Sequence, residues 1–190
     1  MGALSRTAWL STAALALCAG GPAVAQDDEG FDGIPNVSVE YYDVSGADVG
    51  AIRASMNARR PTDPRDGQPH DAVTSWHISF RYRNDPGGRH ASQDPEFSAV
   101  VTLPRLANEG GASSETLARW RRFTASLEAH EAGHGRWAYE HLGDVKAALS
   151  APSCAGAGAA GQAAIRRIAL HDGAYDQQTR HGATQGAVFP

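Results

Sequence analysis

The residues best suited to do chemistry are His130-Glu131-Ala132-Gly133-His134. Histidines four positions apart share one face of a helix, with Cβ atoms roughly 5–6 Å apart. Imidazole nitrogens bind zinc at about 2.0–2.1 Å, so one ion can bridge the pair. Glu131 lies about a quarter turn away, placed to take a proton from a water that such an ion activates. The pattern is H-E-x-x-H, and it points to a zinc-dependent hydrolase.

A catalytic zinc usually takes three protein ligands and leaves one position open. Glu140 stands at a spacing used by some zinc hydrolases, but that arrangement needs a chain-turning glycine where Trp137 stands. On a continuing helix Glu140 faces away from His134, and His141 lies roughly 10 Å further along the axis at 1.5 Å per residue. His70, His77 and His90 fall in loops or on a polar strand face. The segment Tyr175 to Gly182 remains. His181 is the favoured third ligand, with Asp176 orienting a ligand imidazole. The reverse, Asp176 on the metal and His181 steadying an oxyanion, stays open, as does a plain helix cap followed by a surface histidine.

Several elements must position these residues. Asn36 to Val44 alternates and reads as a strand; Asp48 or Ser45 can cap a helix carrying Val49, Ile52 and Met56 on one face. Pro61 to His70 is a loop. Ala72 to Tyr82 has a period of two, with Thr74, Trp76 and Ile78 on one face. A turn containing Asp85-Pro86-Gly87-Gly88 leads to a partner strand, Phe97 to Leu103, ended by Pro104. These two strands imply an antiparallel sheet. Beyond Ser113, Leu117, Trp120, Thr124 and Leu127 form a helical stripe that continues through both motif histidines to Ala138, His141 and Val145. A helix of that length suggests a bend before the motif. Ala151 to Gly161 reads as a linker or loose helix start, and Ala163 to Thr179 as a helix. On that last helix Asp172 and Asp176 extend an apolar stripe, and buried carboxylates need a partner.

The chain has 190 residues, 42% hydrophobic and 20% charged, enough for one domain. A net charge of −4 gives no electrostatic case for nucleic acid or an anionic membrane. Residues 1–25 read as a signal peptide: Arg6, an apolar run from Ala8 to Ala19 too short to span a bilayer, and an Ala23-Val24-Ala25 cleavage site. Leu15-Ala16-Leu17-Cys18 is a weaker lipid-attachment box, since Leu17 is bulky. Cleavage leaves Cys154 as the one cysteine, without an intramolecular disulfide and expected as a small buried hydrophobe. Residues 26–35 are expected to be a flexible mature N-terminus and 36–190 the domain.

Tyr41-Tyr42-Asp43-Val44-Ser45-Gly46, Thr74-Ser75-Trp76, Leu103-Pro104, the His-Glu-x-x-His helix, and Tyr175-Asp176 through His181-Gly182 to Gln185-Gly186 form an ordered set along the chain. With them the chain resembles a bacterial family of unknown function described as predicted secreted zinc-dependent proteases. That resemblance implies an α+β domain of the zincin type with a small antiparallel sheet. It implies a secreted or periplasmic metallopeptidase acting on protein or peptide, held along an edge strand near Ala72 to Tyr82 or Phe97 to Leu103. In that scheme zinc sits on His130, His134 and His181, Glu131 moves the proton, and Tyr175 stabilises the oxyanion. The competing expectation is a non-catalytic secreted domain with a structural, four-ligand zinc that binds an envelope partner.

Overall fold

Strand β1, Val37–Val44, opens the three-stranded sheet that the rest of the domain packs against. This computed structural model describes residues 29–84, 90–92, 94–150 and 154–190. The expected leader and the turn at 85–88 lie outside them, as does the environment of the Cys154 side chain. After β1 come α1, Val49–Asn57; β2, Val73–Ser79; β3, Tyr82–Asn84; β4, His90–Ser92; and β5, Glu96–Leu106. Three helices follow: α2, Ser114–Glu140; α3, Leu142–Ala148; and α4, Cys154–Thr179. Asp48 caps α1 and Ser113 caps α2, each side chain accepting a first-turn N–H.

The sheet order is β1-β5-β2, and it is mixed rather than antiparallel. β2 runs antiparallel to β5 as the turn between them requires, but β1 pairs with β5 in parallel. The long connection through α1 and β2 provides the crossover that parallel pairing needs. β3 and β4 form a small separate hairpin inside what reads as a plain turn.

β5 also continues through Pro104 to Leu106 instead of ending there. Ala99 N–H donates to Asn36 O and Ala107 N–H to Val44 O. Odd residues of β5 thus address β1 and even ones address β2. The last β2–β5 pair is Val73–Thr102, so the missing N–H of Pro104 faces a position where no strand stands. The inner sheet face carries Phe97, Ala99, Val101 and Leu103, while Val100 opposite is exposed, the one-sided burial expected of such a sheet.

α2 is the axis of the domain. Trp120, Phe123, Leu127, His130, His134 and Ala138 are its buried face, at spacings of three or four. It runs unbroken through the motif, and the interruption falls after it, at His141. There the His141 ring bonds the Trp137 carbonyl at 2.8 Å, next to a backbone at φ −96, ψ 12 that leaves the helix. No break falls before His130: α2 is one continuous helix from Ser114 to Glu140, and its first half has core to pack against.

One expectation of looseness is corrected and another is narrowed. Residues 29–35 are ordered by burial: Glu29–Phe31 forms a 3₁₀ turn, Phe31 and Ile34 enter the core, and Gly30 N–H donates to Glu128 at 2.9 Å. Of the two readings of the Ala/Gly-rich stretch, linker or helix start, the helix start holds: from Cys154 it is the first half of α4. A Cβ at Gly161 would stand 2.8 Å from Phe80 and 2.9 Å from Leu149, so small residues let this helix approach its neighbours. No helix among the described residues is long and apolar enough to cross a membrane.

Candidate metal centre

α2 presents His130 and His134 toward α4, and both rings are almost wholly buried. Asp176, on the last turns of α4, reaches between them. Its Oδ1 lies 3.2 Å from His130 Nε2 and 3.1 Å from His134 Nε2. The ligand-type atoms of these three residues all fall within 4.8 Å of one another.

The far side of each ring is also held. His134 Nδ1 donates to Asp172 Oδ1 at 3.1 Å, one helical turn before Asp176 on α4. His130 Nδ1 donates to Gln185 Oε1 at 2.9 Å. The Gln185 amide nitrogen donates to Tyr175 Oη at 3.0 Å, which fixes the oxygen toward His130. With both Nδ1 atoms serving as donors, both Nε2 atoms carry lone pairs aimed at a carboxylate oxygen. Three acceptors facing one point need a cation or protons between them, and the donor set suits a divalent zinc. In the metal-free protein protons fill that role. Burial works against the His134 imidazolium, but Asp172 and Asp176 outweigh it and push its pKa up to about 9. Burial likewise opposes the Asp176 charge, yet His130, His134 and Arg65 hold its carboxyl well below the usual range.

Glu131 is buried beside this pair and anchored from below, where the Thr74 hydroxyl of β2 donates to its carbonyl at 3.2 Å. Desolvation raises the pKa of its carboxyl, against the pull of His134 and His130. All four residues line a cleft of about 300 Å³ that also includes Arg65, His70, Arg180 and His181.

His181 lies at the mouth of the cleft rather than at its centre. Its Nδ1 is 3.7 Å from Asp176 Oδ1, its side chain is 55% exposed, and its ring lies 4.5 Å from that of His70. Arg180 and His181 both adopt φ +51, a left-handed turn that reverses the chain after α4 and brings Gln185 back to His130. Of the two arrangements open at the sequence level, the structure brings Asp176, not His181, between the motif histidines. Tyr175 does not line the cleft: its ring stacks on His130, centroids 4.9 Å apart, and its hydroxyl is engaged by Gln185. It supports the His130 ring from outside the cleft rather than facing into it.

Sequence reasoning marked the Asp172/Asp176 stripe as needing a partner, and the partners are the two histidines. It missed Arg65, whose guanidinium reaches Asp63, Asp172 and Asp176 from the loop before β2, and Trp76, whose indole N–H donates to Asp172. Arg65 carried no signal, because a loop arginine has no spacing relation to the motif; Trp76 stood in the Thr74-Ser75-Trp76 segment, but nothing there tied it to the carboxylates of α4. β5 lies in the middle of the sheet and cannot accept an added strand. β2 stands at the sheet edge, with its Thr74 and Ile78 side chains buried on the inner face against α2 and the core.

The combination of a mixed sheet, a buried H-E-x-x-H helix and a convergent carboxylate defines an α+β domain with a candidate metal centre. Residues 39–182 match the family described as "Bacterial protein of unknown function (DUF922)", and the chain belongs to that family. No curated protein and no solved structure matches the chain.

Proposed function

We propose that this chain is an exported, zinc-dependent peptidase of zincin-like design, using His130, His134 and Asp176 as ligands. The observation that carries this reading is the convergence of two Nε2 lone pairs on Asp176 Oδ1 while Asp172 and Gln185 occupy the opposite nitrogens. Its exported character rests on the leader read at 1–25.

Zinc bound there would supply Lewis acidity, bringing the pKa of a coordinated water toward about 7. Glu131, buried at the floor of the cleft with a raised pKa, is the general base that takes the proton and later returns it to the leaving amine. His181, at the rim and rich in donors when protonated, is the candidate to steady the developing oxyanion. The cleft, rather than a sheet edge, receives the polypeptide.

A second reading is favoured by one distance. His181 Nδ1 lies 3.7 Å from Asp176 Oδ1 but outside the cluster of His130, His134 and Asp176. A shift of the turn at Arg180 and His181 would have to bring it in as a fourth ligand, giving a structural zinc in a module that binds an envelope partner.

Metal analysis of the mature protein should find about one zinc per chain, lost in His130→Ala, His134→Ala and Asp176→Ala and retained in His181→Ala. Glu131→Gln should keep the zinc and the melting temperature. It should slow hydrolysis of an unfolded protein by a factor on the order of 10²–10⁴, the worth of a positioned acid–base group. Loss of zinc in His181→Ala, with no hydrolysis by the wild type, would establish the structural reading instead.

A further inference from the structure

Arg65 lies outside the metal motif, in the loop between α1 and β2, yet among the described residues its guanidinium is the one arginine or lysine group that reaches both α4 carboxylates at the centre. The loop is held in shape by its own hydrogen bonds. Asp63 N–H donates to Gln68 O at 2.9 Å, Gly67 N–H to Asp63 O at 2.8 Å, and Thr62 bridges Pro69. Asp63, almost fully buried, clamps the arginine through Nε at 2.9 Å and Nη2 at 2.7 Å. The fork then points at α4: Nη1 lies 3.3 Å from Asp172 Oδ2 and Nη2 lies 3.5 Å from Asp176 Oδ2.

The two carboxylates divide their oxygens in the same way. Each turns Oδ1 to a histidine of α2 and Oδ2 to Arg65. For Asp172 this keeps one oxygen on the His134 ring. For Asp176 it has a stronger consequence, because a carboxylate left to itself can chelate a cation through both oxygens.

Building on the metal-centre reading above, we propose that Arg65 is a positioning residue that restricts Asp176 to ligation through Oδ1 and so preserves an open coordination position. A planar guanidinium suits the task better than an ammonium, because one rigid fork addresses three carboxylates at once. The loop carrying Arg65 is thus a fixed part of the centre, although none of its residues belongs to the His130–His134–Asp176 cluster.

Cobalt(II) substitution in the mature protein reads coordination number directly, since four-coordinate cobalt absorbs visible light much more strongly than five-coordinate cobalt. Wild type should show intense four-coordinate bands. Arg65→Ala should load one cobalt and show bands severalfold weaker, as the freed Oδ2 joins the metal. Arg65→Lys, which keeps a cation near Oδ2, should recover most of the intensity. If Arg65→Ala does not fold, Arg65→Gln, uncharged but of related length, carries the same comparison and should also lose intensity. Wild-type bands in a loaded Arg65→Ala or Arg65→Gln would overturn the inference while leaving the metal centre standing. Failure of wild type to bind cobalt or zinc would overturn the metal-centre reading itself, and the inference with it.

Discussion

At the residue scale the centre behaves as an ion pair waiting to be exchanged. His134 has an ordinary pKa of 6.5, raised to about 9 in the fold despite its burial, because Asp172 and Asp176 face its two nitrogens. A base whose pKa is higher folded than unfolded contributes stability that is fully present below about 6.5. That stability is lost as pH rises through about 9. The metal-free domain should therefore lose melting temperature between these values, and His134→Gln should flatten that slope. Zinc needs the unprotonated ring, so loading at pH 7 must expel the proton. Titration calorimetry in buffers of different ionisation enthalpy should show about one proton released per zinc at pH 7, with affinity rising toward pH 9. A proton count near zero would mean that His134 is already neutral in the metal-free protein, contrary to this account. The histidine pair was legible from sequence because i, i+4 spacing alone puts two rings on one face. The choice between Asp176 and His181 was not, because it depends on the left-handed turn at Arg180 and His181, which no propensity at those residues announces.

At the scale of elements, the site is the contact between α2 and α4, and Gly133 sets how close they come. Its position in the motif tolerates any residue for zinc binding, so sequence gives it no role. In the structure a Cβ there would stand 2.6 Å from Tyr175 Oη and 3.0 Å from its Cζ, which is sterically forbidden without movement. Tyr175 in turn stacks on His130 and holds Gln185. Alanine is normally better than glycine within a helix by about 0.8–1.0 kcal/mol. Gly133→Ala should nonetheless destabilise the domain and weaken zinc binding, because Tyr175 must leave its place. In a Tyr175→Phe background, which removes the closest atom, the cost of Gly133→Ala should shrink; equal costs in the two backgrounds would show that the clash is relieved some other way. The strands and helices themselves were readable wherever periodicity was strong, as in β2 and α2. Reading failed where a pairing partner distant in sequence decided the outcome: the parallel β1–β5 ladder, the passage of β5 through Pro104, and the small-residue half of α4, where Phe80 and Leu149 explain the composition.

At the scale of the whole molecule, both ends of the described chain close on α2, and the C-terminal end also walls the cleft. Ala187, Val188 and Phe189 line the cleft beside His130, His134 and Asp176. Phe189 is buried against Trp120 and Phe123, ring centroids 5.4 and 5.3 Å away. Arg53 of α1 joins this packing from above, 5.8 Å from the Phe189 ring. It donates to the Phe189 carbonyl through Nε at 3.1 Å while gripping Asp71 at 2.9 Å. One side chain thus ties the last residues to α1, to the approach to β2 and to the first half of α2. Phe189→Ala should cost about 3–5 kcal/mol, the usual loss for emptying a buried aromatic site. Urea unfolding of the metal-free protein would measure it directly. Val188, 57% exposed on the same tail, supplies the control: Val188→Ala should change stability by no more than about 0.5 kcal/mol. Because the tail forms the cleft wall but offers no metal ligand, Phe189→Ala should still load zinc at temperatures where it remains folded. A Phe189→Ala variant as stable as Val188→Ala would show that the tail merely rests on the domain, and the cleft wall would then have to be assigned elsewhere.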